Sequence, residues 1–580
     1  MRNREISEML YTIADLLDIK GEIPFKTRAY RVAAQTIENL DEDIETLVRE
    51  KRLETLPGIG KAIAKKITEY VETGKLTFFE KLKQEIPEGI IELLDIPGLG
   101  PKKVAALYNK LGVKTVEELK RACEEGKLRD LDGFGEVTER NILRGIQLKE
   151  KTQGRFLLNL AYENGSRYVE YMKQLPYINK ISIAGSLRRM KETIGDIDIL
   201  VSSDKPDEVM NHFVAYPEVK QVLVKGRTKT SVILEDGIQV DLRVVEEKSF
   251  GAALQYFTGS KNHNIVLRGI AIKRGYKLSE YGLFEKDTDR YVAGETEEDV
   301  YKTLGLTYIP PELRENRGEI EAGLNNNLPN LITHEDIKGD LHVHSQWSDG
   351  VNTIEEIANK AIQLGYEYIG IADHSRSLRI ARGLSEEQIL SKINEIKRLN
   401  EEIEEINILC GTECDIKQDG TLDYPDSILK QFDFVVAGIH MGFKMTREEA
   451  TNRLVKAMEN EYVDIIAHPT GRLIGRREPF ELDIDRVFEK AVETNTYLEI
   501  NAFPDRLDLN DIHCKHGKEM GVKFVINTDA HSINHLPYMK YGVATARRGW
   551  LEKKDVLNTL SFKELERVMR CLVERRQRRG

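Results

Sequence analysis

The apolar residues of this chain keep three rhythms. Over residues 1–150 they recur in short runs at three- and four-residue intervals, separated by Pro-Gly turns. That pattern predicts short amphipathic helices. Over residues 155–320 a long helical opening gives way to β-branched runs such as ISIAGS, DIDILV and VILEDGIQVDLRVV, which predict strands. Seven more apolar runs follow, each ending in polar residues: DLHVH (340–344), YIGIADH (368–374), NILCGTE (407–413), FVVAGIH (434–440), VDIIAHP (463–469), YLEINAF (497–503) and KFVINTDAH (523–531). Successive ends lie 27 to 39 residues apart, the length of a strand and its return helix. Seven such units predict an α/β barrel, and polar residues gathered at barrel strand ends mark an active site.

A length of 580 residues and near-average composition predict several domains. No apolar run is long enough to span a bilayer. The opening MRNREISEML has no apolar stretch or small-residue cleavage site behind its charges, so a cytoplasmic protein is expected, with no membrane partner. The cysteines, Cys123, Cys410, Cys414, Cys514 and Cys571, are scattered and odd in number, which argues against a disulfide framework and a CxxC zinc site. Net charge is −11 and offers nucleic acid no bulk attraction. Residues 1–150 carry 26 basic and 28 acidic side chains, residues 151–320 carry 25 of each, and the rest carry 35 and 44. A nucleic-acid surface in the first 320 residues must come from local clusters.

Such clusters exist. LPGIGKAIAKKI (56–67) and IPGLGPKKVAAL (96–107) each place a Gly-x-Gly turn before a helix, and LDGFGEVTERNI (131–142) is a looser copy. Gly58 and Gly60, then Gly98 and Gly100, leave backbone N–H groups uncovered at a helix N-terminus, which suits a phosphate. Lys61, Lys65 and Lys66, then Lys102 and Lys103, follow in the helices. This is the helix-hairpin-helix pattern, similar to that of many DNA-repair proteins. Lys66 could form a Schiff base with a sugar aldehyde if partly desolvated, although a lone lysine there is more often a solvated phosphate contact.

In AGSLRRMKETIGDIDILV (184–201), Asp196 and Asp198 stand two apart in a β-prone run, so they face the same side of one strand. Two adjacent carboxylates need a compensating cation. Asp241, in the strand run QVDLRVV, is a third candidate. Three carboxylates on neighbouring strands can hold two Mg²⁺ or Mn²⁺ ions for in-line nucleotidyl transfer. Gly185, Ser186, Arg188 and Arg189 upstream offer N–H groups, a hydroxyl and guanidinium charge for phosphates.

The order GSLRR, GDID, VDLR and YFTGS (256–260) resembles the family X DNA polymerases over roughly residues 1–315. The resemblance implies that Asp196, Asp198 and Asp241 are the catalytic metal-binding triad. It implies that Ser186, Arg189 and Gly195 meet the incoming triphosphate, that Tyr256, Phe257 and Gly259 lie under the sugar, and that Asn264 reaches the base edge. It further places Arg243 with the carboxylates, Arg268 on the template side and Lys66 at the family's Schiff-base lysine, implying a lyase. Met190, Ile194 and Lys261 depart from the family pattern, which bears on nucleotide affinity and selectivity.

In the last region His342 and His344 are two apart on one strand, His374, Glu413, His440 and His468 close later strands, Asp529 and His531 repeat the two-residue spacing, and Asp349 sits in the first loop. Six imidazoles and three carboxylates suit two or three Zn²⁺ or Mn²⁺ ions. His334, His513, His516 and His535 are left as non-ligands, and Glu499 as a candidate partner behind the ligands. The HxH opening and DxH close resemble the PHP domains, metal-dependent phosphoesterases.

The expected fold is therefore multidomain: an all-α helix-hairpin-helix N-terminal domain, an α+β nucleotidyltransferase palm with thumb, and a C-terminal seven-stranded (βα)7 PHP barrel. The expected bounds are 1–85 (N-terminal hairpin, lyase-like), 86–150 (fingers-like hairpins), 151–250 (palm), 251–315 (thumb), 316–334 (linker) and 335–575 (PHP). The resemblance implies a monomeric, nucleoid-associated polymerase that acts on gapped or nicked DNA with dNTPs in base excision repair. It also implies 3′→5′ exonuclease, AP endonuclease and 3′-end-processing activities. A small-molecule phosphatase with a vestigial polymerase half, and a DNA-binding scaffold without chemistry, are the alternatives.

Overall fold

The computed structural model describes residues 3–568 except 39, 41, 95, 97, 98, 130, 132 and 153, with the backbone alone at 4, 38, 88, 137 and 147–152. The N-terminal region is helical, as its apolar spacing predicts. Helix Lys61–Thr73 begins at Gly60 (φ −83°, ψ 167°) and stops at left-handed Gly74. Helix Pro101–Leu111 repeats this arrangement from Gly100 (φ −87°, ψ 166°) to Gly112. Both use an extended glycine to turn into the helix and a left-handed one to leave it. One apolar core runs from Ile6 to Ile146, across the expected boundary at residue 85.

A five-stranded sheet follows: β1 (Lys180–Ile183), β2 (Asp196–Ser202), β3 (Val219–Lys225), β4 (Lys229–Leu234) and β5 (Gln239–Val245). Its order is β1-β2-β5-β4-β3. The β2–β5 pair is parallel and the others antiparallel. β3 is an edge strand with Val222, Leu223 and Val224 exposed, and no alternation of buried and exposed positions announces it. Residues 250–336 then form helices Phe250–Thr258 and Lys261–Lys273, a three-stranded meander and short helical turns. The stretch expected as a linker is packed: it contains helix Glu319–Leu324, and Glu319, Ile320, Leu331 and Ile332 are buried.

The last region is a seven-stranded parallel sheet of β6 (Gly339–Val343), β7 (Tyr368–Ile371), β8 (Asn407–Asp415), β9 (Phe434–Gly438), β10 (Ile465–Ile466), β11 (Tyr497–Asn501) and β12 (Phe524–Asn527). Each predicted run supplies one strand, in sequence order. The sheet nearly closes on itself: Val343 bridges Ala530 in parallel, and the His344 N–H donates to the Ala530 carbonyl at 2.8 Å. No helix among the described residues is long and apolar enough to cross a membrane.

Candidate active sites

In the five-stranded sheet, register does the assembly. Asp198 on β2 lies directly across from Asp241 on β5, and Asp196 precedes Asp198 by two on the same face. Oxygens of all three carboxylates lie within 4.8 Å of one another. Burial, then Asp196 and Asp241, push the Asp198 carboxyl up to about 7. Against the penalty of burial, hydrogen bonds from Lys229, Gln239 and Ser231 hold the Asp241 carboxyl below its ordinary value. The Lys229 Nζ–Asp241 Oδ2 distance is 2.6 Å. Even with Lys229, Arg155 and Arg243 acting on the cluster, the Asp196 and Asp198 carboxyls stay raised, so it fits divalent cations. The upstream turn closes over it: Gly185 has φ +64°, and a Cβ there would lie 2.2 Å from Asp198 Oδ2. Only glycine fits that position.

The barrel gathers all nine predicted side chains at its strand C-terminal ends. Glu413 is the hub: its Oε1 lies 2.9 Å from His440 Nε2 and 3.0 Å from His468 Nε2, and its Oε2 lies 2.9 Å from His374 Nδ1 and 3.4 Å from His342 Nε2. Asp529 Oδ1 is 3.1 Å from His344 Nε2. Asp349 approaches His344 at 3.7 Å, His374 at 3.6 Å and His531 at 3.4 Å. Three overlapping groups have ligand-capable atoms within 4.8 Å: His344, Asp349, His374 and His531; His342, His344 and Asp529; His374, Glu413 and His440.

The chemistry of this donor set fits metal ions. His342 Nε2, His344 Nδ1 and His374 Nδ1 are buried ring nitrogens that lie beside carboxylate oxygens without an aligned hydrogen bond. Native interiors rarely tolerate such atoms. Burial, His531 and His374 hold the His344 imidazole down to about 4, so its lone pairs are available near neutral pH. Despite burial, the neighbouring imidazoles hold the Glu413 and Asp529 carboxyls well below the ordinary range. Behind the ligand candidates stands a layer that the sequence barely showed. Glu499 accepts from His342 Nδ1 at 2.7 Å and from the His468 N–H at 2.8 Å. Asp415 lies 3.3 Å from His440 Nδ1. Such carboxylates fix ring orientation. His468 and Asp529 themselves have positive φ, +29° and +54°, a strain that persists where a site dictates geometry.

Comparison with known proteins joins the two sites. Residues 1–76 match the helix-hairpin-helix domain model, 90–148 the SAM-like helix-hairpin-helix tandem, 253–315 the DNA polymerase beta thumb and 340–503 the PHP domain. A DNA polymerase/3′-5′ exonuclease PolX of Bacillus subtilis (strain 168) is 45% identical over 572 residues, 98% of this chain and 100% of that protein. The chain belongs to the family X DNA polymerases. Rat DNA polymerase lambda is 24% identical over 348 residues, 54% of this chain and 56% of that protein. A probable phosphatase of Thermoanaerobacter sp. (strain X514) is 30% identical over 252 residues, 42% of this chain and 96% of that protein.

Two expectations carried over from family X need correction. Arg189, expected on the triphosphate, is buried, with Nε 2.9 Å from Glu315 Oε1 and Nη1 donating to the Thr258 carbonyl at 2.8 Å. Its fork is filled by the 250–320 segment. Asn264, expected at the base edge, donates to the carbonyls of Tyr256 (2.7 Å) and Gly259 (3.1 Å) and accepts from Gln255 (2.8 Å), closing the end of the preceding helix. Arg243, expected with the carboxylates, stacks on the Phe257 ring at 4.4 Å while its charge favours the ionised Asp198; the short ion pair with Asp241 belongs to Lys229. Lys229 was readable in principle. Counting back from the Asp236-Gly237 turn puts Ser231 opposite Asp241, with Lys229 two residues beyond on the same face.

Ser186 and Gly195 are half-buried beside the carboxylates, Tyr256 and Phe257 pack edge-on at 5.1 Å, and Arg268 is exposed. A Cβ at Gly259 would lie 2.4 Å from Asn264 Oδ1. In the first hairpin Gly58 has φ +77°, and a Cβ there would meet Val32 Cγ1 at 2.3 Å. Lys61, Lys65 and Lys102 are exposed and Lys103 half-buried; Gly98 lies outside the described residues. Lys66 is held over the Phe78 and Tyr30 rings at 4.8 and 5.9 Å. Burial, then Lys26 and Lys65, push its ammonium below the ordinary value.

Proposed function

We propose that the chain fills short gaps in damaged DNA at its five-stranded sheet and trims or unblocks 3′ ends in its barrel. The observation that carries this reading is the presence, in one chain, of two separate donor clusters that both fit divalent ions. Its likeness to a DNA polymerase/3′-5′ exonuclease along its whole length supports it. Asp196, Asp198 and Asp241 would hold Mg²⁺ or Mn²⁺, and the nine barrel residues would hold two or three Zn²⁺ or Mn²⁺ ions. Bound ions would supply Lewis acidity at phosphorus in both sites. The chain's own groups do the rest. Lys229 and Gln239 fix the Asp241 carboxylate. The Gly185–Ser186 turn presents N–H groups to the triphosphate. Glu499 and Asp415 aim the imidazoles, and the hairpins grip the DNA backbone without reading sequence. The barrel's likeness to probable phosphatases favours removal of blocking 3′ phosphates as well as nucleotides, and cleavage at abasic sites extends the same phosphoester chemistry.

Asp198→Ala is expected to abolish primer extension and leave 3′→5′ digestion, and His342→Ala to do the reverse. Loss of both activities from either folded variant would end the two-site reading. We further propose that the Lys66 amine attacks the C1′ aldehyde of a 5′-deoxyribose phosphate and loses water to form a Schiff base. Borohydride should then trap a DNA adduct that Lys66→Ala cannot form.

A further inference from the structure

The barrel cluster lies deep. His342 and His344 have no exposed side-chain surface, and even His531 and Asp349, nearer the mouth, are only 25% and 17% exposed. A terminal nucleotide cannot reach these groups while stacked and paired; it must first be drawn out of the duplex. The segment that follows His374 is shaped for that task. Residues 375–384 leave the end of β7 and fold back: Ser375 bridges Leu384, whose N–H donates to the His374 carbonyl at 2.9 Å. The loop is pinned. The Ser377 N–H donates to Asp423 at 2.8 Å, and the Tyr424 hydroxyl donates to the Leu384 carbonyl at 2.6 Å. A Cβ at Gly383 would lie 1.8 Å from the Ser375 carbonyl oxygen.

What this pinned loop holds out is an isoleucine. Ile380 is 92% exposed, more than any other large apolar side chain among the described residues, while its neighbour Ala381 is buried as an anchor. Arg379 and Arg382 flank it and are exposed. Ile380 is six residues from His374, at most about 20 Å away even were the chain extended. A single apolar side chain between two guanidinium groups is too small for a protein-docking patch. It has the make-up of side chains that enter between bases while arginines hold the phosphates.

We propose that the 375–384 loop is a wedge for DNA 3′ termini: Ile380 enters the last base step, Arg379 and Arg382 hold the flanking phosphates, and the freed nucleotide passes to the barrel mouth. This rests on the reading of the barrel as a 3′-end phosphoesterase. The test uses the full chain and its Ile380→Ser and Arg379→Gln/Arg382→Asn variants. The substrates are a blunt duplex, the same strand unpaired, and bis(p-nitrophenyl) phosphate with Mn²⁺. Ile380→Ser should slow digestion of the duplex about tenfold and leave the unpaired strand and the small diester unchanged. The arginine pair should weaken both DNA substrates, flatten their salt dependence and spare the small diester. Independently of turnover, binding of a duplex with 2-aminopurine at the penultimate 3′ position and a phosphorothioate last linkage should raise fluorescence with the parent chain and not with Ile380→Ser. Equal loss on paired and unpaired DNA, or no change with any substrate, would overturn the wedge. If the parent chain hydrolyses the small diester but no DNA, the nuclease reading fails instead, and the fluorescence experiment still judges the loop.

Discussion

Glu297 carries two guanidinium groups at once. Arg188 meets it through both nitrogens, at 2.8 and 2.6 Å, and the fully buried Arg314 takes Oε1 from the other side. Against the cost of burial, Arg314 and Arg188 hold the Glu297 carboxyl down to about 2, from an ordinary 4.5. A carboxyl with a depressed value stabilises the fold fully above its unfolded value and loses that contribution as pH falls through the folded one. Stability from this group should therefore fade between pH 4.5 and about 2. Glu297→Gln leaves a buried guanidinium without its charge partner, so it should cost about 3–5 kcal/mol in calorimetric unfolding and flatten that acid limb. None of this was legible beforehand, because Arg188 and Glu297 are 109 residues apart. The same limit explains Arg189 and Asn264. A motif fixes where a side chain starts, but Glu315 and the Tyr256 carbonyl, which the motif does not contain, decide where it ends.

Secondary-structure elements were more legible than side-chain partners. The Asp-x-Asp strand, the Asp241 strand and all seven barrel strands follow from residue alternation and length. The ligand histidines follow from their place at strand ends, since a barrel strand end can only face the mouth. The edge strand Val219–Lys225 escaped because it buries almost nothing and so leaves no apolar alternation to read. The Gly185 turn yields a test at this scale. Gly185→Ala adds a methyl where Asp198 already sits and forces an unfavourable φ. It should reduce primer extension by about a hundredfold or more while leaving 3′→5′ digestion intact. Equal loss of both activities would show general unfolding instead. Gly58→Ala, which collides with Val32, should weaken binding of gapped DNA in a gel-shift titration without altering hydrolysis of a small diester.

At the scale of the whole molecule, a buried ionic chain ties the sheet to the barrel. Arg548 donates to the Arg189 carbonyl at 2.8 Å and lies 3.1 Å from Glu315 and 2.7 Å from Asp511, which Arg317 also holds at 2.9 Å. Arg472 crosses to Glu192 at 2.8 Å, and Leu507 and Tyr541 of the barrel region complete the sheet's apolar core. Sheet and barrel should accordingly unfold in one calorimetric transition, which Arg548→Met should split in two. No sequence pattern announces such links, since Arg548 and Arg189 stand 359 positions apart and Arg472 and Glu192 stand 280 apart. The barrel's closing contact has its own consequence. His342 comes from its first strand, His344 from just beyond it, and Asp529 and His531 from just beyond its last, so ions bridging them would act as a clasp across the join where the wall closes on itself. Chelation should then open that join before any other, with the His344 amide losing exchange protection first. A chain cut short of residue 529 would keep the His374, Glu413 and His440 group and lose the side chains that let the other two groups span the join.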